Sequence, residues 1–395
     1  MDFSIKKEQQ TILETAGKLA REELFPRAAD IDIKSVHPTA SLAEIWRKGL
    51  LGITIPKEYG GLGLGLLEST MVLEKLAAGC ASTTASFHTH TVVQRYIDAL
   101  GNVEQKEELF SEVINEGKLF GSWGSEPGTH GGAAPVKVVV NRAKEGYVMN
   151  GPKHFCTMAG ACNRAMVHAN IPDKNGNRRT IMVMVPTESQ GLAIIGEWNT
   201  LGMRGTVSPA VTFNNCFIAE NALLGQPGDV EKKGIEQTFA LGDAAIYIGI
   251  AQGALDWFKE YAKSHAFNPN TQPLSHDLLL QRRVAKMTQR LEGARYVLYS
   301  SCQGYWEETN MGRWYLVSKA KYLASQASMF VANMVAEGLG GRIAHRRYPI
   351  ERMIRDIRTA TLMPPSPDRC LEVIAKYELG IADDQLASRW GTLRL

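Results

Sequence analysis

Three short stretches of this 395-residue chain carry residues able to do chemistry. In Lys153-His-Phe-Cys-Thr157 an aromatic side chain and a hydroxyl stand two residues apart. The alternation of a strand would put Phe155 and Thr157 on one face, where both can meet the same ligand, and turn His154 away. The second stretch is the Ser/Thr-rich helix start leading into His88-Thr-His90. An imidazole titrating near neutrality there can hold a substrate or handle its proton. The third is Gly128-Thr-His-Gly-Gly132, a flexible glycine loop that could carry His130 to a phosphate or a lid.

Several familiar chemistries are missing. The six cysteines (80, 156, 162, 216, 302 and 370) form no Cys-x-x-Cys, and no Cys/His grouping has zinc-site spacing, so they read as reduced core thiols and no metal is expected. No Gly-x-Ser-x-Gly nucleophile elbow occurs. The glycine-rich Ile55-Pro-Lys-Glu-Tyr-Gly-Gly-Leu-Gly63 fits neither the dinucleotide fingerprint nor the phosphate loop. A net charge of +3 with scattered Lys and Arg excludes a nucleic-acid stripe and a polybasic membrane anchor. The first residues lack an apolar signal core, which gives a cytoplasmic expectation. The most apolar segment, from Thr238 to Leu255, carries Asp243 and Gln252 and reads as a buried helix rather than a membrane span.

The elements that must position these residues fall into three blocks. Helical spacing dominates residues 1–118, short β-rich runs separated by turns fill 119–228, and long helical patterns return over 229–395, interrupted at Pro364-Pro365. The reading is α+β in the order helical domain, β-barrel domain, four-helix bundle. A barrel between helical layers is unlike the βαβ alternation of nicotinamide enzymes.

Six stretches in register resemble the acyl-CoA dehydrogenase superfamily over nearly the whole chain: Ile55 to Gly63; Ser125-Glu-Pro-Gly128; Tyr147-Val-Met-Asn-Gly-Pro-Lys153; Leu201-Gly-Met-Arg-Gly-Thr206; Gly249-Ile-Ala-Gln-Gly-Ala-Leu255; and Gly340-Gly341 followed by Tyr348 to Asp356. The resemblance implies a flavin between the β-domain and the C-terminal helices, in a homotetramer or homodimer. By the same resemblance Thr157 bonds the flavin N5, Phe155 covers the ring, Ser125 and its amides meet the pyrimidine edge with Trp123 close by, and Gly340 and Gly341 belong to the cofactor-binding set.

The departures are informative. Pro364 stands where the dehydrogenases keep their catalytic glutamate, with Met363 before it, and Phe239 stands at the alternative base position of some relatives. Glu236 and Asp243 are the acids that a shift of one helical turn could bring inward. His265 replaces the arginine that reaches a neighbouring subunit's FAD pyrophosphate, and Gly131-Gly132 replace a serine-aspartate, so the cofactor is FAD or FMN. Asn150 to Thr157 and Ile248 to Asp256 resemble the oxygen-using monooxygenase branch, typified by dibenzothiophene monooxygenase, in which His90 matches an active-site histidine. That branch needs no substrate base. A second histidine usual in the branch is Met363 here. The expectation is a reduced-flavin, O₂-dependent monooxygenase of a small apolar or heteroatom-bearing substrate, served by a separate reductase. Alternatives are an acyl-CoA dehydrogenase with a displaced acid and a non-catalytic flavin-binding or acyl-binding relative. His90, Phe239, Met363 and Pro364 are the expected substrate-side residues.

Overall fold

The computed structural model describes residues 5–128, 136–172, 176–267 and 271–381. His130 and Gly131-Gly132 lie outside them.

The N-terminal block is α1 (Lys7–Leu19) running through a π-helical turn into α2 (Phe25–Lys34), then α3 (Thr39–Arg47), α4 (Leu66–Ala77), α5 (Ala81–Leu100) and α6 (Val103–Glu116). Asn102 opens α6 with a reciprocal capping box to Gln105. The helix that matters most is α5, which is buried along almost its whole length although it is rich in Ser, Thr and His. Its hydroxyls are satisfied locally: Thr84, Thr89 and Thr91 donate to the carbonyls of Cys80, Ala85 and His88. Back-bonding of this kind lets a polar sequence occupy the middle of the molecule.

Strands β1 (Phe120–Trp123), β2 (Val139–Ala143), β3 (Gly146–Lys153), β4 (Arg164–Pro172), β5 (Arg178–Pro186), β6 (Leu192–Ile195), β7 (Ala210–Ile218) and β8 (Leu223–Leu224) form one mixed sheet. Its order is β6-β7-β3-β2-β4-β5-β8, with β1 beside β4 in parallel. The expected barrel is corrected to an open sheet. Among the described residues nothing pairs β6 with β8, and edge strands of four and two residues are too short to carry a closing ladder.

The C-terminal block contains α7 (Asp229–Lys233), α8 (Thr238–Ser264), α9 (Leu278–Gly304), α10 (Asn310–Leu339), α11 (Pro349–Ala360) and α12 (Pro367–Glu378). Helix α10 packs against α8, α9 and α12, while α11 packs on α8 and α10 and reaches α2 and α5 of the N-terminal block. Helix α8 is long and apolar enough to cross a membrane, but 89% of its most apolar window is buried inside the fold. All six cysteines are buried thiols.

One arginine ties the three blocks together. Arg355 on α11 meets both carboxylate oxygens of Asp32 on α2 at 3.0 and 2.6 Å, donates to the Leu201 carbonyl, and is braced by Glu351. Such a bidentate fork fixes geometry as well as charge. Next to it, Asp356 accepts from the Met203 amide at 2.6 Å, and burial pushes its carboxyl up to about 6. The loop after β6 is therefore held by α11.

Candidate functional site

Strand β3 ends at Lys153, so Phe155 and Thr157 do not alternate along a strand as their spacing suggested. The correction has a clear local cause. Phe155 takes φ +54° and Met158 φ +64°, left-handed values that no strand continues. The opposing loop is strained as well, with Met203 at +55° and Val207 at +36°. Four left-handed non-glycine residues within two facing loops, one of them β-branched, mark a place where the surroundings dictate the backbone; such outliers concentrate at functional sites.

The two loops are zipped together. Cys156 N–H donates to the Pro209 carbonyl and Met158 N–H to the Thr206 carbonyl. Ser208 Oγ lies 3.1 Å from both Thr157 Oγ1 and Thr206 Oγ1, and the Thr206 hydroxyl donates to the Met203 carbonyl, so the Thr157 hydroxyl is tied into one hydroxyl network with the facing loop. Trp123 Nε1 donates to the Thr157 carbonyl, also at 3.1 Å. Gly121 is needed for this approach, because a Cβ there would stand 2.9 Å from the Trp123 indole nitrogen and 3.0 Å from the Cys162 sulfur.

Phe155 is 56% exposed, which is unusual for a phenyl ring set in a strained turn. His154 does not point away: its ring lies 4.1 Å from that of Phe155, and Trp198 meets the other ring edge-on at 6.1 Å. Trp198 Nε1 is buried without a hydrogen-bond partner. A half-open aromatic ring, an oriented hydroxyl and an orphaned indole N–H suit a flat, acceptor-rich heterocycle such as an isoalloxazine. Ser125 is exposed at the edge of the same cluster, its carbonyl accepting from the His154 amide.

His90 sits deeper than an imidazole poised near neutrality would. Its Nδ1 accepts from the Phe120 amide at 2.9 Å, so the proton resides on Nε2, which makes no hydrogen bond of ordinary geometry. Burial pushes its pKa down to about 3, and that of His88 to about 4. His88 rather than His90 touches the expected pocket residue Phe239: Nε2 lies 2.9 Å from the Phe239 carbonyl and the rings are 4.8 Å apart. A Cβ on Gly242 would collide with the His88 ring, so that glycine admits the histidine.

Both histidines make the fold sensitive to acid. Below about pH 6.5 the unfolded chain binds a proton that folded His90 refuses until about pH 3, so stability falls with pH across that window. Asp243 and Asp356 work in the opposite sense, since their raised carboxyls take protons in the fold before the unfolded chain does. The difference between wild type and His90→Asn isolates the histidine. Urea unfolding is expected to show that difference shrinking by about 2 kcal/mol, to the variant's advantage, between pH 7 and pH 5.

The remaining expected residues lie elsewhere. His265 ends α8, stacked on Tyr261 at 3.8 Å, and Gly340-Gly341 lie at the end of α10. Arg342, over the Phe267 ring at 3.8 Å, brings these two segments together, but no described contact joins them to Thr157. Met363 and Pro364 form the turn after α11, and both of their carbonyls accept from Lys321 at 2.7 Å. Asp243 is buried against that lysine, and Glu236 lies half-buried near Tyr305. Sequence reasoning singled out His90 in the His88-Thr-His90 stretch rather than His88, and missed Trp198, Ser208 and Lys321; of these three only Trp198, just ahead of the Leu201 to Thr206 stretch, carried a usable signal.

Three family models match in chain order: "Acyl-CoA dehydrogenase, N-terminal domain" over residues 6–116, "middle domain" over 121–216, and "C-terminal domain" over 241–363. The chain is 29% identical to the human mitochondrial short-chain specific acyl-CoA dehydrogenase, covering 94% of this chain and 90% of that protein. It is also 29% identical to a dibenzothiophene monooxygenase of Rhodococcus erythropolis, with 86% of each covered. The solved structure of TdsC from Paenibacillus sp. A11-2 with FMN and indole superposes with a TM-score of 0.86 at 26% identity, covering 94% of this chain and 98% of that one.

Proposed function

Since the chain belongs to the acyl-CoA dehydrogenase superfamily and is a flavin-dependent oxidoreductase, we propose that it is a reduced-flavin, O₂-dependent monooxygenase of a small aromatic or heteroatom-bearing substrate. The observation that carries this reading is the turn after α11. Where a dehydrogenase would present a carboxylate, it presents Met363 and Pro364, and the nearby acid Asp243 lies buried against Lys321. A hydroxylation by activated oxygen needs no base to remove a substrate proton.

Bound flavin, reduced by a separate reductase, supplies the electrons and the centre at which O₂ reacts. The protein's share is to orient and to exclude water. Thr157, held at 3.1 Å from the Ser208 hydroxyl, would present its side-chain hydroxyl to the ring edge; Phe155 would cover one face; Trp198 would offer a further N–H. Neutral His90, locked by the Phe120 amide and set against the Leu51 backbone, would act as a fixed neutral imidazole rather than as a base. The human relative's name makes an acyl thioester the competing substrate class, and indole in the TdsC structure makes that heterocycle the first aromatic compound to try.

Stopped-flow absorbance of the photoreduced, flavin-loaded chain mixed with oxygenated buffer tests the reading. A spectral phase that is neither reduced nor oxidised flavin is expected, together with no anaerobic bleaching of the oxidised flavin by butyryl-CoA. Direct return to the oxidised spectrum, with bleaching by the thioester, would overturn it in favour of dehydrogenation.

A further inference from the structure

The buried pair Asp243–Lys321 joins α8 to α10 through residues 78 apart in sequence and ends at the Met363–Pro364 turn, the expected substrate side of the proposed site. Both residues are almost fully buried, with Nζ 3.5 Å from Oδ2. An ammonium has three hydrogens to place. Lys321 directs two of them to the carbonyls of Met363 and Pro364, at 2.7 Å each, and its Nζ stands 5.5 Å from the Tyr247 ring centroid. Those carbonyls belong to the short turn between α11 and α12. The turn's own amides are satisfied internally, Leu362 N–H to Thr359 and Met363 N–H to Ala360, so its carbonyls need an outside donor. An apolar side chain at 321 would fill the same volume and offer them nothing.

The same turn is the end of a connected path. Helix α11 holds the Met203 amide through Asp356; Thr206 in that loop accepts from the Met158 amide; Ser208 bonds Thr157. What fixes the end of α11 therefore fixes the wall facing the flavin's expected position.

We propose that Lys321, with Asp243 as its counterion, is a positioning residue that clamps the Met363–Pro364 turn and so sets the shape of the substrate pocket. This rests on the monooxygenase reading for what the pocket holds, but not for the clamp itself. Other groups facing the pair are His88 from α5, Tyr247 from α8, and Cys370 from α12, itself beside Arg369. None of these donates to the two carbonyls.

The test compares Asp243→Asn with Asp243→Asn/Lys321→Met, two chains that both lack the buried carboxylate and differ only in the donor at 321. Hydrogen exchange is followed in the oxidised, FMN-loaded chain, with indole binding read from the flavin absorbance. Asp243→Asn is expected to keep exchange at Leu362 and Met363 within about threefold of wild type, and the double variant to speed it by about tenfold while the amides of α8 stay unchanged. FMN affinity should hold in both, and indole affinity should fall only in the double variant. Equal exchange in the two variants, or a rise spread evenly over α8 and α10, would show a merely structural pair and overturn the proposal. If wild type fails to bind indole, the aromatic-substrate reading falls while the exchange comparison still decides the clamp.

Discussion

Thr157→Val is expected to cut the lifetime of the oxygen-dependent spectral phase by about 10²-fold, as removal of one well-aimed hydrogen bond does at other reacting centres, while the melting temperature stays within a few degrees of wild type. Valine keeps the shape and loses the hydroxyl, so the loop retains its backbone bonds from Cys156 and Met158 and the Trp123 indole bond to the Thr157 carbonyl. Only the hydroxyl held 3.1 Å from Ser208 is lost. Ser208→Ala leaves the Thr157 hydroxyl in place but frees its rotor, and should give a smaller loss in the same direction. FMN affinity, measured by quenching of flavin fluorescence, separates the readings. A Thr157→Val chain that no longer holds FMN would assign the hydroxyl to binding, and one whose spectral phase is unchanged would remove it from the reacting centre.

What the sequence made legible follows from physical range. Helical and strand periods are local, so the order of helices, strands and helices could be read from spacing, and Pro364-Pro365 marked the end of α11. The Phe155–Thr157 pairing was expected from alternation along a strand, whereas two left-handed residues fold the stretch into a loop that brings Thr157 against Ser208. Sheet closure depends on the lengths of edge strands and on pairings distant in sequence, and the barrel expectation failed there. His90 was read at its solution titration range because nothing near it in sequence revealed that Phe120, thirty residues on, would cap its Nδ1 inside the core. Lys321 was invisible for the same reason, being one lysine among many until Asp243 and the two carbonyls surround it.

Glu126→Ala is the substitution expected to cost most in stability, about 3–5 kcal/mol, because it leaves a buried ammonium without its counterion and two backbone N–H groups without the carboxylate they donate to. The Glu126 carboxylate accepts from the amides of Lys137 and Val138 at 2.5 and 3.1 Å and from Lys153 Nζ at 2.6 Å, and Lys153 also reaches the Gly124 carbonyl. Both side chains are essentially excluded from water. This one cluster binds the turn that carries Ser125 to the strand that ends at Lys153, two residues before Phe155, so the loss should appear at the flavin as well as in urea unfolding. FMN is expected to bind more weakly to Glu126→Ala, and Glu126→Gln, which keeps an oxygen for the amides, should lie between. Glu126→Ala/Lys153→Met removes the stranded charge and should recover part of the loss in stability, since an apolar pair is often as stable as a buried ionic one. It should not recover FMN affinity, because the amides that hold the Ser125 turn still lack an acceptor. A single variant costing under about 1 kcal/mol would mean that water reaches the cluster, and the flavin-edge turn would then have to be held by something else.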